Sequence, residues 1–293
     1  MMRKLRSEFR ISTTVIYAIV TFFVVLCVLP FINLIAISFS SERAIVTGEV
    51  YLWPVEWTML PYKALFNNDS MFSSLWLTVG LTFLFTAIAM VMTVSAAFPL
   101  SRNYLPGRSS VMKLIVFTMF FSGGIIPDYL LVKGMHLTNT LWSLVLPGMI
   151  SAFNLLIMVT FFSNIPDSLE ESAKIDGHSD LSILGKIYLP LSLPALATLS
   201  LFYAVSRWNG FQDALMYITN AKLYPIQLKL YQMVMNNQIQ ELTMQEGMGS
   251  FQSMPSEGIK AASLIFGILP ILLIYPFLQR YFVSGMTLGA VKE

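Results

Sequence analysis

Long apolar runs separated by short polar stretches constrain the fold of this chain more than any other feature. The first run, residues 11–41, contains no charged side chain, and a helix needs only about 20 largely apolar residues to cross a bilayer. Charged residues make up 12% of the chain, about half of the roughly 25% that is usual in soluble domains. The sequence therefore predicts an all-α, polytopic membrane protein.

Six segments meet this length requirement and are predicted to be transmembrane helices: residues 12–37, 72–100, 111–131, 141–162, 191–208 and 261–282. Gly123, Gly124 and Pro127 interrupt the third segment, and Pro190 and Pro194 lie at the start of the fifth. Such breaks are tolerated where neighbouring helices or a cavity satisfy the freed backbone groups. We expect one transmembrane domain over residues 1–293, without a soluble domain.

The distribution of lysine and arginine predicts the orientation in the membrane. These cations are concentrated in the N-terminus, in two short loops and in the C-terminal tail, and cytoplasmic loops carry an excess of them. Both termini are therefore predicted to lie in the cytoplasm of a bacterial cell. The predicted cytoplasmic segments are residues 1–11, 164–190 and 283–293, and the predicted outer segments are residues 38–71 and 209–260.

The second outer segment is rich in methionine. It contains Met233, Met235, Met244, Met248 and Met254. Methionine is unbranched and polarisable, which suits adaptable contact surfaces, and long ordered loops are usually functional. We expect this segment to dock an external partner, with a solvated connector as the alternative.

A polar, helix-forming stretch lies in the predicted cytoplasmic segment 164–190. Asp167, Glu170 and Glu171 fall in its first turns, where carboxylates interact favourably with the helix dipole. Glu170 and Lys174 form an i, i+4 pair in the favourable orientation. Because Gly177 is suited to the left-handed conformation that ends many helices, the pattern predicts a short surface helix that stops there.

A second short helix is predicted after this turn, capped by Ser179 or Asp180. Its apolar face is predicted to consist of Leu181, Leu184 and Ile187. Pro190 then interrupts the chain before the fifth span. Two charged helices at a membrane surface favour binding of a soluble partner, although an ordinary amphipathic loop has the same pattern.

These residues resemble the EAA loop of ABC-importer permeases, which has the pattern Glu-x-Ala-x-x-x-Gly followed by Ile-x-Leu-Pro. The matching residues are Glu171, Ala173, Asp176, Gly177, Ile187, Leu189 and Pro190. Ser172 departs from the usual alanine, a small-for-small change. Residues 285–292 resemble the C-terminus of MalG-type sugar permeases. Residues 121–127, 146–154 and 202–209 resemble the LplC branch of that family, and the permeases of alginate importers are a closer match.

The resemblance implies a type I ABC-importer (MetI/MalG-like) permease fold with six transmembrane helices. It implies several partners: a second homologous permease in a pseudo-twofold heterodimer, two ATP-binding cytoplasmic subunits, an extracytoplasmic solute-binding protein and membrane lipid. It also implies import of oligosaccharides, with a lean towards acidic, alginate-type uronates. ATP and Mg would bind at the partner ATPase, and this chain would bind no cofactor.

The same resemblance implies that one set of residues couples the permease to the ATPase: Glu170, Glu171, Ala173, Asp176, Gly177 and Pro190. In this reading Glu171 and Asp176 make polar contacts in a groove of the ATPase. Ala173 allows close approach between the two proteins, and Gly177 allows the turn.

The sequence lacks the motifs of an enzyme. No Gly-x-x-x-x-Gly-Lys-Ser/Thr phosphate loop is present, and His136 and His178 belong to no Ser-His-Asp pattern. Cys27 is the only cysteine, which excludes a cysteine-based metal cluster. The formal net charge is only +2, so we expect no nucleic-acid partner. Because the motifs are missing, we also expect no metal site and no catalytic activity.

Four residues are candidates for the substrate pathway, because sugar sites combine aromatic faces with a few polar groups: Tyr129, Asn154, Trp208 and Asn209. Packing or an interfacial position is the alternative for each. Arg207 and Lys133 are cations near the predicted outer mouth, and they are candidates to attract an acidic sugar.

Two other functions suit a polytopic membrane protein. An ion-coupled secondary transporter of a small polar solute commonly carries inverted repeats and intramembrane ionisable residues, whereas this sequence shows no evident repeat and few such residues. An intramembrane enzyme needs a catalytic set, and none is evident. The sequence therefore favours the importer permease.

Overall fold

The computed structural model describes residues 2–67, 69–245 and 256–290, and the described part of the chain contains helices but no strand. Its helices are α1 Met2–Ser38, α2 Glu42–Val46, α3 Leu60–Phe66, α4 Asp69–Leu100, α5 Arg108–Phe120, α6 Ile125–Gly134, α7 Trp142–Val145, α8 Ala152–Ser163, α9 Asp167–Ile175, α10 Asp180–Ile183, α11 Leu189–Leu191, α12 Leu193–Asn209, α13 Gln212–Tyr217, α14 Ile226–Gln245 and α15 Glu257–Ala290. A π-turn, Leu184–Tyr188, joins α10 to α11, and a 3-10 turn, Ala221–Leu223, precedes α14.

Three stretches of helix are long and apolar enough to cross a membrane alone: Val15–Ser38 of α1, all of α4, and Glu257–Ile274 of α15. Three bent pairs reach that length only together: α5 with α6 (114°), α8 with α9 (70°), and Asp180–Leu191 with α12 (84°). The described residues thus supply up to six spans, in agreement with the all-α, six-helix prediction.

The fourth predicted span, residues 141–162, is not one continuous helix. Helix α7 ends at Val145, and α8 begins only at Ala152. Pro147 and Gly148 lie between them, and both residues disfavour a helix interior. The backbone N–H of Asn154 then donates to the Ser151 hydroxyl at 3.4 Å, which caps α8.

The predicted break in the third span is confirmed. Helix α5 ends at Phe120 and α6 begins at Ile125, with Gly124 in a conformation of φ +89° between them. Pro127 lies in the first turn of α6, where backbone N–H groups have no partner within the helix, so that its missing donor costs little.

The chain divides into two compact units, Met1–Met71 with Gln232–Ile268 and Phe72–Tyr231 with Leu269–Glu293. In the first unit, Phe39 stacks on Trp57 with ring centroids 6.0 Å apart. The Ser40 hydroxyl accepts from the N–H of Val55 at 3.0 Å. The end of α1 is therefore held by the segment that follows it.

The methionine-rich segment is helical in its first part. Met233, Met235 and Met244 lie in α14, while Met248 and Met254 lie outside the described residues. Its docking role stays a prediction.

The described residues of the second unit form two buried clusters. One contains Phe162, Ala173, Ile183 and Leu199, and the other contains Leu144, Val145 and Tyr203. Tyr203 links α12 to two other elements: its hydroxyl lies 2.7 Å from Thr93 Oγ1 and accepts from the N–H of Ser151 at 3.1 Å. The Phe85 ring contacts the Tyr203 ring edge-on at 6.0 Å.

We expect Tyr203→Phe to lower the free energy of unfolding by about 1–3 kcal/mol, because it leaves the part-buried N–H of Ser151 and the buried hydroxyl of Thr93 without their partner. The measurement is thermal unfolding in detergent, followed by tryptophan fluorescence. Tyr17→Phe is the control, since Tyr17 is exposed on α1. Equal melting temperatures for the two variants would contradict the assignment.

Candidate functional site

Helix α9 forms the centre of the predicted cytoplasmic segment and is closed at its end by glycine. Gly177 adopts φ +78°, as predicted. Its N–H donates to Lys174 O at 3.1 Å, and the N–H of His178 donates to Ala173 O at 2.9 Å. This pair of bonds is the Schellman motif, which satisfies the last carbonyls of a helix. A residue with a side chain would be strained at position 177.

The second helix is capped by Ser179, whose hydroxyl accepts from Ser182 N at 3.4 Å. The helix does not end at Pro190 as predicted, because a π-turn widens the backbone just before the proline, which supplies no N–H. The interruption lies instead at Ser192, before α12. Of the predicted apolar face, Leu184 and Ile187 pack against the core, whereas Leu181 is 80% exposed.

Glu170 is a buried carboxylate at the centre of a polar cluster. It is only 4% exposed and forms ion pairs with Arg102, which is also buried, and with Lys174 at 2.6 Å. The hydroxyls of Tyr104 and Tyr188 each donate to one of its oxygens at 3.1 Å. We call these five residues the Glu170 cluster. Two cations and two hydroxyls compensate the cost of burying the carboxylate.

Aromatic rings pack against one of the two cations of this cluster, Arg102. The Arg102 guanidinium carbon lies 4.2 Å from the centre of the Phe98 ring and 4.8 Å from that of Tyr188. The Tyr188 ring also meets Phe98 and Phe162 edge-on, at 5.2 Å and 5.3 Å. Because cation–π attraction strengthens when the cation is desolvated, these rings fix Arg102 as well as bury it.

The structure sorts the six predicted coupling residues into two groups. Glu170 and Ala173 are buried inside the chain, whereas the exposed group is Glu171, Asp176, Gly177 and Pro190. Ala173 packs within the chain's own core, which accounts for its small size without a partner. Ile175 is 86% exposed, and sequence reasoning missed it. The sequence feature that could have identified Ile175 is a bulky apolar residue one helical turn after the polar Glu171.

Two adjoining cavities lie in the second unit. The apolar cavity has a volume of about 800 Å³, and the polar cavity has a volume of about 540 Å³. Their linings share Phe85, Gly148 and Ser206. The polar groups in the lining of the polar cavity include Asp128, Ser143, Arg207, Asn209, Gln212, Asp213 and Tyr217.

Two of the four substrate candidates line these cavities, one in each cavity. Asn154 lines the apolar cavity and Asn209 lines the polar one. Trp208 is buried and Tyr129 stacks on Tyr217 at 6.4 Å, and neither belongs to the described lining of the two cavities. The aromatic Tyr217 was not predicted from the sequence. Burial, with Asp128 and Asp213 nearby, raises its pKa, so its hydroxyl stays protonated and able to donate.

Arg207 is already paired, contrary to the expectation that it attracts an acidic sugar. Its guanidinium grips Asp213 through both terminal nitrogens, with Nη2 3.0 Å from Oδ1. It also donates to Leu144 O at 2.9 Å and to Gly210 O at 3.1 Å. With Asp128 on the same wall, the polar cavity carries more negative than positive charge.

The second expected cation, Lys133, lies with its Nζ 6.0 Å from the centre of the Tyr129 ring. It does not belong to the described lining of either cavity. Neither expected cation is thus placed to bind a carboxylate inside the cavities.

Comparisons with known proteins match nearly the whole chain. The family described as "Binding-protein-dependent transport system inner membrane component" matches residues 2–288. The polygalacturonan/rhamnogalacturonan transport system permease protein YtcP of Bacillus subtilis is 45% identical over 283 residues, which is 97% of this chain and 99% of that protein. Protein LplC of the same organism is 41% identical over 90% of this chain and 89% of its own length.

Solved structures agree with this fold. A chain of a bacterial ABC transporter involved in the import of the acidic polysaccharide alginate is 30% identical, with a TM-score of 0.84 over 93% of this chain and 97% of that chain. A second chain comes from an alginate ABC transporter in complex with an alginate pentasaccharide-bound periplasmic protein. It is 17% identical with a TM-score of 0.60 over 95% of both chains, which supports the fold alone.

We expect Asp213→Ala to lower the free energy of unfolding by about 3 kcal/mol, because it leaves the buried Arg207 without its counter-charge. Asp128→Ala is the matched control, since it removes a carboxylate from the same cavity but from an exposed position, and we expect it to cost less than about 1 kcal/mol. Melting temperatures in detergent compare the two variants. A larger loss for Asp128→Ala would refute the pairing.

Proposed function

The chain belongs to the family of binding-protein-dependent transport system inner membrane components, and from this premise we propose that it helps to move acidic oligosaccharides into a bacterial cell. It is a permease subunit of a carbohydrate ABC importer and a multi-pass protein of the inner membrane. The ATPase of such an importer is a separate chain, so this subunit is not an enzyme.

The names of two relatives support an acidic substrate. One relative is named for transport of polygalacturonan and rhamnogalacturonan, and a solved structure is described as importing alginate, an acidic polysaccharide. Galacturonan and alginate are both polymers of uronic acids, which carry one carboxylate per sugar. The substrate class that we propose is therefore uronate oligosaccharides, with alginate-type chains as one member.

The charges of the polar cavity favour recognition of the sugar carboxylates and the sugar hydroxyls by different subunits. Arg207 is neutralised by Asp213, and Asp128 adds a negative charge, so this cavity repels carboxylates more than it attracts them. Asn154 and Asn209 are suited to sugar hydroxyls, since an amide both donates and accepts hydrogen bonds. In this proposal the solute-binding protein and the second permease select the carboxylates, and this subunit contacts hydroxyl groups.

The single observation that carries the coupling role is the two-sided construction of α9. Its inner side is anchored through Glu170, while Glu171, Ile175 and Asp176 are exposed around an ordered glycine stop. Exposed apolar side chains rimmed by polar groups mark sites of interaction with other proteins. We assign this surface to the ATPase, and in this proposal segment 164–190 and both termini lie in the cytoplasm.

The complete importer would then contain this chain and a homologous permease as a pseudo-twofold heterodimer in lipid, with two ATP-binding subunits and a solute-binding protein. ATP and Mg would bind to the ATP-binding subunits, and this chain would bind no cofactor or nucleic acid. An ion-coupled secondary transporter is not favoured, because the family is that of binding-protein-dependent systems.

We expect Glu171→Lys to abolish co-purification of the ATPase and to lower uptake by about tenfold or more, because like charges facing each other at an interface cost several kcal/mol. Uptake of labelled oligosaccharide and the amount of ATPase retained in mild detergent are the two measurements. Glu49→Lys is the matched control, as it reverses an exposed charge in the predicted outer segment 38–71. Normal uptake by Glu171→Lys would refute the proposed docking surface.

We expect Asn209→Leu and Asn154→Leu each to lower the maximal uptake rate about fivefold, since each loses roughly one hydrogen bond to the sugar, worth about 1 kcal/mol. The assay uses the reconstituted importer with saturating, loaded binding protein, so that recognition in the binding protein does not limit the rate. Asn67→Leu serves as the control because it lies outside both cavity linings. Unchanged rates in both cavity variants would remove these residues from the pathway.

A further inference from the structure

The Glu170 cluster joins three segments that are far apart in the chain. Arg102 and Tyr104 follow the end of α4, Glu170 and Lys174 belong to α9, and Tyr188 lies in the π-turn that leads to α12. We propose that this cluster is the mechanical joint through which a displacement of α9 is passed to the spanning helix α4 and to the π-turn that precedes α12. The proposal rests on the proposed coupling function of α9.

The electrostatics of the cluster make it resist separation. Glu170 and Arg102 are both nearly inaccessible to solvent, at 4% and 6% exposure. Pulling them apart would leave each charge in a low-dielectric interior, without water to replace its partner. Sliding of α9 past the end of α4 is opposed as well, because each carboxylate oxygen of Glu170 also accepts a hydrogen bond from a tyrosine hydroxyl. Helix α9 and the end of α4 therefore move as one body.

Packing around the ion pair of Glu170 and Arg102 connects it to further elements. The Phe98 ring of α4, the Phe162 ring of α8 and the Tyr188 ring meet one another edge-on at 5.2–6.4 Å. The Arg102 guanidinium lies against two of these rings. Close-packed interiors transmit strain because they have little free volume. The rings thus connect the ion pair to three helical segments at once.

The position of the cluster distinguishes it from the ion pair of Arg207 and Asp213. The two charges of that pair are six positions apart, and Arg207 reaches a distant segment through one backbone oxygen, that of Leu144. In the Glu170 cluster the side chains themselves join distant segments, since the Tyr104 hydroxyl reaches Glu170 over 66 positions of sequence. A joint needs this property, since it has to connect the element that receives a force with the elements that respond. We class Glu170 and Arg102 as positioning residues, because neither is exposed to a partner.

The test is the ratio of transported sugar to hydrolysed ATP in the complete importer, reconstituted in liposomes with its binding protein. The variant Glu170→Gln keeps the shape of the side chain and removes its charge. We expect this variant to retain the ATPase and to hydrolyse ATP, while sugar transported per ATP falls by about tenfold or more. Asp167→Asn neutralises an exposed carboxylate of the same helix and should leave the ratio unchanged.

A second variant distinguishes the loss of mechanical coupling from a loss of folding stability. Arg102→Met combined with Glu170→Met removes both charges, so that no uncompensated charge is buried and the fold is retained. We expect its melting temperature to stay near that of the wild type, while sugar transported per ATP remains low. Recovery of the wild-type ratio in this double variant would overturn the proposal, because it would reduce the ion pair to a structural role.

The outcomes also separate this proposal from the coupling function itself. If wild-type importer shows no ATP-driven uptake, or if Glu171→Lys retains the ATPase and transports normally, the coupling function fails. If the wild type transports, Glu171→Lys does not, and Glu170→Gln keeps the wild-type ratio, only the joint is refuted.

Discussion

The need to compensate one buried carboxylate organises the predicted cytoplasmic side of this protein. Glu170 is placed where water cannot solvate it, so the chain has to supply cations and hydroxyls from three different segments. That requirement fixes the rotation of α9 about its own axis: with Glu170 turned inward, Ala173 faces the core, and Glu171 and Ile175 are turned outward. The exposed surface is therefore a consequence of the buried one.

The sequence predicted the elements that depend on local residue patterns. The glycine stop at position 177 and a cap at Ser179 or Asp180 depend on neighbouring residues, and the structure contains the stop and uses Ser179 as the cap. Composition predicted six spans, of which three are single helices and up to three more are bent pairs of helices. The sequence did not predict that the Glu170 side chain points into the protein. A carboxylate in a polar helix is usually exposed, and the partner of Glu170, Arg102, lies far away in the sequence. The π-turn before Pro190 was missed for a related reason, since a change of helical period has no simple residue signature.

The polar cavity shows a second limit of reading charges from sequence. Arg207 looks like a binding group for an anion until its pairing with Asp213 is known. An arginine near the end of a spanning helix satisfies backbone carbonyls and a carboxylate at little cost, because its planar fork offers several donors. A cation counted along a sequence therefore does not by itself identify a binding site for an anion.

The shortness of α9 has a consequence for inhibitors. The helix spans nine residues, Asp167–Ile175, and isolated helices shorter than about 12–15 residues are only marginally stable in water. Its order depends on the buried contacts of Glu170 and Ala173 with the rest of the chain. A synthetic peptide copied from this loop would be largely unfolded and would lose affinity to the entropy of ordering. A chemically stapled peptide would be required to compete with the intact permease.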